Sequence, residues 1–239
     1  AAPKIILFSL FLKFFFFFFF DFKEFWAPVV LVSCVLSIFF GTVSAFYQKK
    51  IKRLLGYSTI GHTGFILLGL LAATMESSTA VIIYVGIYAF LTLLTFSLLI
   101  FAASSKSNNA KFLANWASLG LKNMHYALTF TVVLFSVAGI PPLAGFFSKL
   151  FVLLTAISSQ YFLTSVFFII LSASACFFYI RLIKIFFFGN VVKNTFWLSQ
   201  ASKQNTETLI GLFLFFNFFL FLKLDSFMFL ATILSFCLF

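Results

Sequence analysis

The sequence has 239 residues, of which 63% are hydrophobic and 9% charged, with a formal net charge of +11. Soluble globular domains carry roughly a quarter charged residues, so this chain lacks the polar surface to face water, and a mean hydropathy of +1.17 excludes disorder. Its outer solvent must be hydrocarbon, which makes it an integral membrane protein.

A spanning helix needs about 20 mostly apolar residues. Such segments fall at 4–20, 27–47, 54–73, 79–103, 125–158, 161–188 and 208–222, so about seven transmembrane helices are expected. A β-barrel would alternate polar and apolar residues. The first segment instead carries an unbroken phenylalanine run from Phe14 to Phe20, and the others are apolar all round.

Taken in chain order, the first span opens with Lys4, close enough to the start of the chain to sit among lipid headgroups. The third holds Tyr57, Ser58 and His62; the histidine can relay protons or hydrogen-bond neighbouring helices. On the fourth, Tyr84, Tyr88, Thr92 and Thr95 form a polar stripe that lines water or binds adjacent helices. The fifth apolar stretch is too long for one straight span and is interrupted at Ala138-Gly139-Ile140-Pro141-Pro142, with Lys149 just beyond. Two prolines remove two backbone donors, and irregular backbone at membrane depth is tolerated only inside protein or along a wet cavity. Lys149 lies about 15 Å from the end of its helix at the helical rise, too far to reach the headgroups comfortably. Taking an ammonium out of water is costly, so a nearby charge can tip such a lysine between its protonated and neutral forms. Tyr179, Arg181 and Lys184 close the sixth span as interfacial anchors. Lys223 and Asp225 end the seventh, and the apolar tail 226–239 is too short to cross easily.

The connections divide charge unevenly. Lys49, Lys50, Lys52 and Arg53 follow span two, Lys106, Lys111 and Lys122 follow span four, and Arg181, Lys184, Lys193 and Lys203 surround the exit of span six: eleven of the sixteen basic residues. The alternate connections hold Asp21, Lys23 and Glu24, then Glu76, then no charge. The three basic loops are thus expected to face the cytoplasm or, in a mitochondrion, the matrix. Positive charge split among short loops does not suit nucleic acid. The excess of lysine and phenylalanine, with only Arg53 and Arg181 as arginines, suggests an A+T-rich genome such as an organelle's. Cys34, Cys176 and Cys237 are isolated in apolar segments, so neither a disulfide framework nor a metal cluster is indicated, and no nucleotide motif is present.

Two blocks, QKKIKRLLGYSTIGHTGFILLG at 48–69 and LFSVAGIPPLAGFFSKLFVL at 134–153, together resemble the paired signatures of the antiporter-like membrane subunits of respiratory complex I, in particular the subunit 2 type of NADH dehydrogenase. The segment FYIRLIK at 178–184 supports the match. The resemblance covers essentially the whole chain but only the second half of a fourteen-helix pattern, which implies helices eight to fourteen: residues 1–25 as the last helix of the first repeat, 26–190 as the second five-helix repeat, and 191–239 as the final helix with an apolar tail. The start at Ala1-Ala2-Pro3, without Met, agrees with a missing first half, supplied by a separate partner chain or cut off. By resemblance Lys149 matches the lysine of the broken twelfth helix, Lys4 that of the eighth, and His62 a histidine of the tenth, a plausible relay. Tyr57, Ser58, Tyr84 and Tyr88 are then candidates to line water. The implied role is the exit half of a proton channel in the mitochondrial inner membrane. No redox centre is expected on this chain; flavin, iron–sulfur clusters and quinone belong to other subunits. The implied partners are the N-terminal half of subunit 2, subunits 4 and 4L, accessory subunits and lipid. A membrane subunit of a cation/proton antiporter or membrane-bound hydrogenase is the alternative reading, and a structural assembly chain a third.

Overall fold

A computed structural model describes residues 2–103, 112–117, 119–122, 124–189, 211, 214–215 and 223–238; the expected seventh span, 208–222, lies outside these but for three residues. Among the described residues the regular elements are helices and no strand occurs. Helix α1 (Ala2–Lys13) runs directly into a π-helical turn, Phe14–Phe18, closed by Phe19 N–H donating to Phe14 O at 2.9 Å. Then come α2 (Lys23–Phe46), α3 (Ile51–Ala72) and α4 (Met75–Ala103), a 3-10 turn Leu113–Trp116, and the short α5 (Leu119–Lys122). The half-helices α6 (Met124–Ala138) and α7 (Ala144–Ser158) have 15 residues each, followed by α8 (Phe162–Phe188) and α9 (Leu224–Leu238).

Four of these, α2, α3, α4 and α8, are long and apolar enough to cross a membrane. Helices α2, α3 and α4 start three or four residues before the expected spans, because their first turns carry Lys23 and Glu24, Lys52 and Arg53, and Glu76. Charged side chains at a helix end reach the headgroups while the backbone stays helical, so hydropathy reports only the apolar middle. The junction before α4 is tightly specified. Ala73 adopts a left-handed φ of 52°, and the Thr74 and Ser77 hydroxyls reciprocally accept each other's backbone N–H at 3.2 and 3.0 Å, a serine version of the capping box.

Helix α4 runs through the middle, touching α1, α3, α6, α7 and α9. Packing relies on small residues, as expected where lipid is as apolar as leucine. A Cβ on Gly41 of α2 would lie 2.5 Å from Gly61 N of α3, and one on Gly64 would lie 2.6 Å from Ser37 Oγ. One apolar cluster gathers Trp116, Phe130 and Phe186 between α6 and α8; another gathers Phe65, Phe168 and Tyr84. Cys34 is buried with its thiol donating to Leu31 O, as a small core residue would be. Outward-facing side chains include Phe25, Leu163 and Phe188, about four-fifths exposed, a surface suited to hydrocarbon or neighbouring apolar chains.

The basic connections meet at one end. Leu113 N–H donates to Lys49 O at 3.0 Å, Lys50 pairs with Phe112 in an isolated bridge, and Arg181 Nη1 donates to Phe46 O at 3.1 Å. At the other end Lys23 Nζ donates to Ala72 O at 3.0 Å, tying the start of α2 to the finish of α3.

Candidate functional site

The break between α6 and α7 is built by local sequence. Gly139 has φ of +86°, where a side chain is strained, and α6 ends there with Gly139 N–H donating to Ser136 O and Ile140 N–H to Phe135 O, at 3.0 and 3.1 Å. These are the two bonds of a Schellman cap, commonly followed by proline; here Pro141 and Pro142 follow, joined by a cis peptide bond. A turn closed by Leu143 N–H to Ile140 O at 3.1 Å starts α7. Gly145 lies so close to the last turn of α6 that a Cβ there would sit 1.8 Å from Ser136 O. The last turn of α6 and the first turn of α7 therefore overlap at the break.

Lys149, on the second turn of α7, folds back to this break. Its Nζ donates to Ala138 O at 2.6 Å, and a Cβ on Gly139 would lie 3.0 Å from the same nitrogen. The last carbonyls of a helix lack intrahelical donors and carry the negative end of its dipole, so the broken end of α6 is an acceptor suited to an ammonium. Phe65 presents its ring 5.7 Å from Nζ, within cation–π range. Cys176 of α8 places its sulfur 3.7 Å from the same carbonyl.

Lys4 is tied to two neighbouring helices. Its Nζ donates to Thr59 O at 3.2 Å and to Tyr88 Oη at 3.5 Å, so α1 is joined to α3 and α4 through this ammonium. His62 lies next along α3, its ring 5.0 Å from that of Tyr88 and its Nδ1 2.8 Å from Tyr84 Oη, an exchange in which either group can donate according to the tautomer. His62 and Lys149 then line one small cavity of about 30 Å³ with Ser58, Thr42 and Tyr179, large enough for about two waters. Lys4, Tyr88, His62, Tyr84, the cavity and Lys149 thus follow one another by hydrogen bonds, one ring contact and a shared cavity wall.

Ser58 reaches the cavity wall, whereas Tyr57 does not: it is half-buried against the apolar cluster around Ala45 and Leu54. Thr92 and Thr95 donate to Ala89 O and Thr92 O of their own helix, at 2.8 and 2.9 Å, so that half of the stripe is internally bonded. Pro141 and Pro142 are exposed, and Ala138 O, which a helical N–H at position 142 would meet, accepts Lys149 Nζ instead. Sequence reasoning passed over Tyr179 as a site residue because the adjacent Arg181 and Lys184 read as an interface; its burial and its place in the cavity come from packing. Among the described residues no group of three or more His, Cys, Asp or Glu could hold a metal ion.

The family model described as NADH:quinone oxidoreductase/Mrp antiporter, TM, matches residues 2–175, a stretch that includes Lys4, His62 and Lys149. The chain is 33% identical over 216 residues to NADH-quinone oxidoreductase subunit N of Rhodospirillum rubrum, covering 89% of this chain and 44% of that protein. It is 32% identical over 231 residues to NADH-ubiquinone oxidoreductase chain 2 of Marchantia polymorpha, covering 97% and 46%. Among solved structures it is similar to a chain of respiratory complex I from Thermus thermophilus, with a TM-score of 0.70 and 25% identity over 84% of this chain and 44% of that one. The chain thus spans under half the length of the relatives it matches.

Proposed function

Because the chain belongs to the NADH:quinone oxidoreductase/Mrp antiporter transmembrane family, we propose that it is a proton-translocating membrane-arm subunit of an NADH:ubiquinone oxidoreductase, complex I, in the mitochondrial inner membrane. It is of the subunit 2 type and supplies the exit half of a proton channel. The observation that carries this reading is Lys149 Nζ on the open carbonyl end of α6, 2.6 Å from Ala138 O, beside the cavity it shares with His62. An ammonium held by a backbone dipole rather than by a full counter-charge can lose its proton when the surrounding charge changes. Quinone reduction elsewhere in the complex perturbs a row of buried charges. Lys4 passes a proton through Tyr88 and His62, and Lys149 releases one toward the intermembrane space.

The chain takes no part in electron transfer; flavin, iron–sulfur clusters and quinone are held by other subunits. Its neighbours are a chain supplying the first half of subunit 2, subunits 4 and 4L, accessory subunits and lipid. In the assembled complex, Lys149→Ala is expected to lower proton pumping per NADH oxidised; unchanged pumping would remove the role assigned to Lys149. The family description also covers Mrp antiporters, so a cation/proton antiporter subunit is the second reading. Co-purification with flavin and iron–sulfur subunits that oxidise NADH favours the first reading, and their absence from an intact complex the second.

A further inference from the structure

A second cavity, of about 460 Å³, lies at the end of the bundle opposite the basic connections, between the start of α4, the finish of α7 and α9. Its wall is mostly apolar, with Glu76, Thr79, Thr155, Thr232 and Ser235 set into it; the four hydroxyls donate to carbonyls of their own helices, and Glu76 is exposed. The cavity lines up with the site above it on two helices. On α4, Glu76 and Ala80 line the cavity, and Tyr84 and Tyr88, about two and three turns beyond Glu76, hold His62 and Lys4. On α7 the cavity wall at Thr155 lies six residues past Lys149, about 9 Å at the helical rise. Between the two stands a dry layer, in which Val152 and Val81 are fully buried and both sit against Gly69.

We infer that this cavity is the aqueous mouth by which protons leave the chain, with Glu76 as the carboxylate that receives them and the Val152–Val81 layer as the barrier that prevents a free leak. This inference rests on the proton-channel reading. In the step itself an N–H bond of the Lys149 ammonium breaks, the proton crosses the layer on transient water to the Glu76 carboxylate and then to bulk, and the neutral amine is reprotonated from the His62 side. A carboxylate in the first turn of α4 also favours the helix dipole, and that role alone would affect stability without affecting pumping.

Two measurements on the assembled complex test the inference. In the first, Thr79→Cys and Thr232→Cys are exposed to a membrane-impermeant thiol reagent added to the face opposite the basic loops. Labelling from that side is expected if the cavity is wet, and its failure, as for a lipid-filled pocket, overturns the inference. In the second, Glu76→Gln is expected to lower protons pumped per NADH several-fold while assembly and NADH oxidation persist. If Glu76→Gln pumps normally while Lys149→Ala does not, the mouth is elsewhere and the channel stands; if both pump normally, the channel reading itself fails.

Discussion

The Lys149 ammonium is bound by geometry that a single methyl would disturb. Gly139 combines a left-handed φ of +86° with a lysine stem 2.9 Å from the place a Cβ would occupy. A side chain in the left-handed region costs about 1–2 kcal/mol, and here it would also push Nζ off Ala138 O. Gly139→Ala is therefore expected to lower thermal stability of the complex modestly and pumping strongly, both measured on the same preparation; a loss of stability with pumping intact would separate the cap from the site. Legibility at this scale is uneven. The break at Gly139, Pro141 and Pro142 is readable because each residue type forces a backbone state. That Lys4 crosses to Thr59 O and Tyr88 Oη is not, because an amino-terminal lysine has the same local sequence whether it snorkels or is captured by two other helices. Tyr57 and Tyr84 look alike in sequence; their separation, one against the apolar cluster and one on His62, is decided by which face of its helix meets a neighbour.

Helix contacts depend on backbones that touch, which fixes where side chains are forbidden. Gly41 packs on Gly61 with no room for a Cβ, whereas Gly56, on the same helix α3, has nothing within 4 Å. Gly41→Ala is expected to destabilise the bundle by about 1–3 kcal/mol as an overpacking change, while Gly56→Ala is neutral or stabilising by up to about 1 kcal/mol. Thermal unfolding in one detergent compares them, and equal melting points would contradict the account of the α2–α3 contact. The second, third, fourth and sixth spans were readable to within about four residues because hydrocarbon demands long apolar runs. The tail 226–239 was read as too short to cross, and its fold was not legible: Leu224–Leu238 forms a helix whose Phe227 lies against Gly86 of α4. A segment of that length is helical or not according to the surface it finds.

For the whole molecule, charge gives the orientation and packing gives the ends. The bridge between Lys50 and Phe112 and the bond from Arg181 to Phe46 place the basic connections together, as alternate loops require. Cysteines introduced beside Lys184 and at Gln160 are expected to label from opposite faces, with the Lys184 side on the matrix; labelling from one face would contradict the topology. The central claim is that the row from Lys4 through His62 to Lys149 carries protons. It is tested most directly by the number of protons pumped per NADH oxidised when Lys4 and Lys149 are both replaced by alanine in an assembled, NADH-oxidising complex. The account predicts a lower ratio than in the unsubstituted complex. An unchanged ratio would contradict it and leave the chain a scaffold.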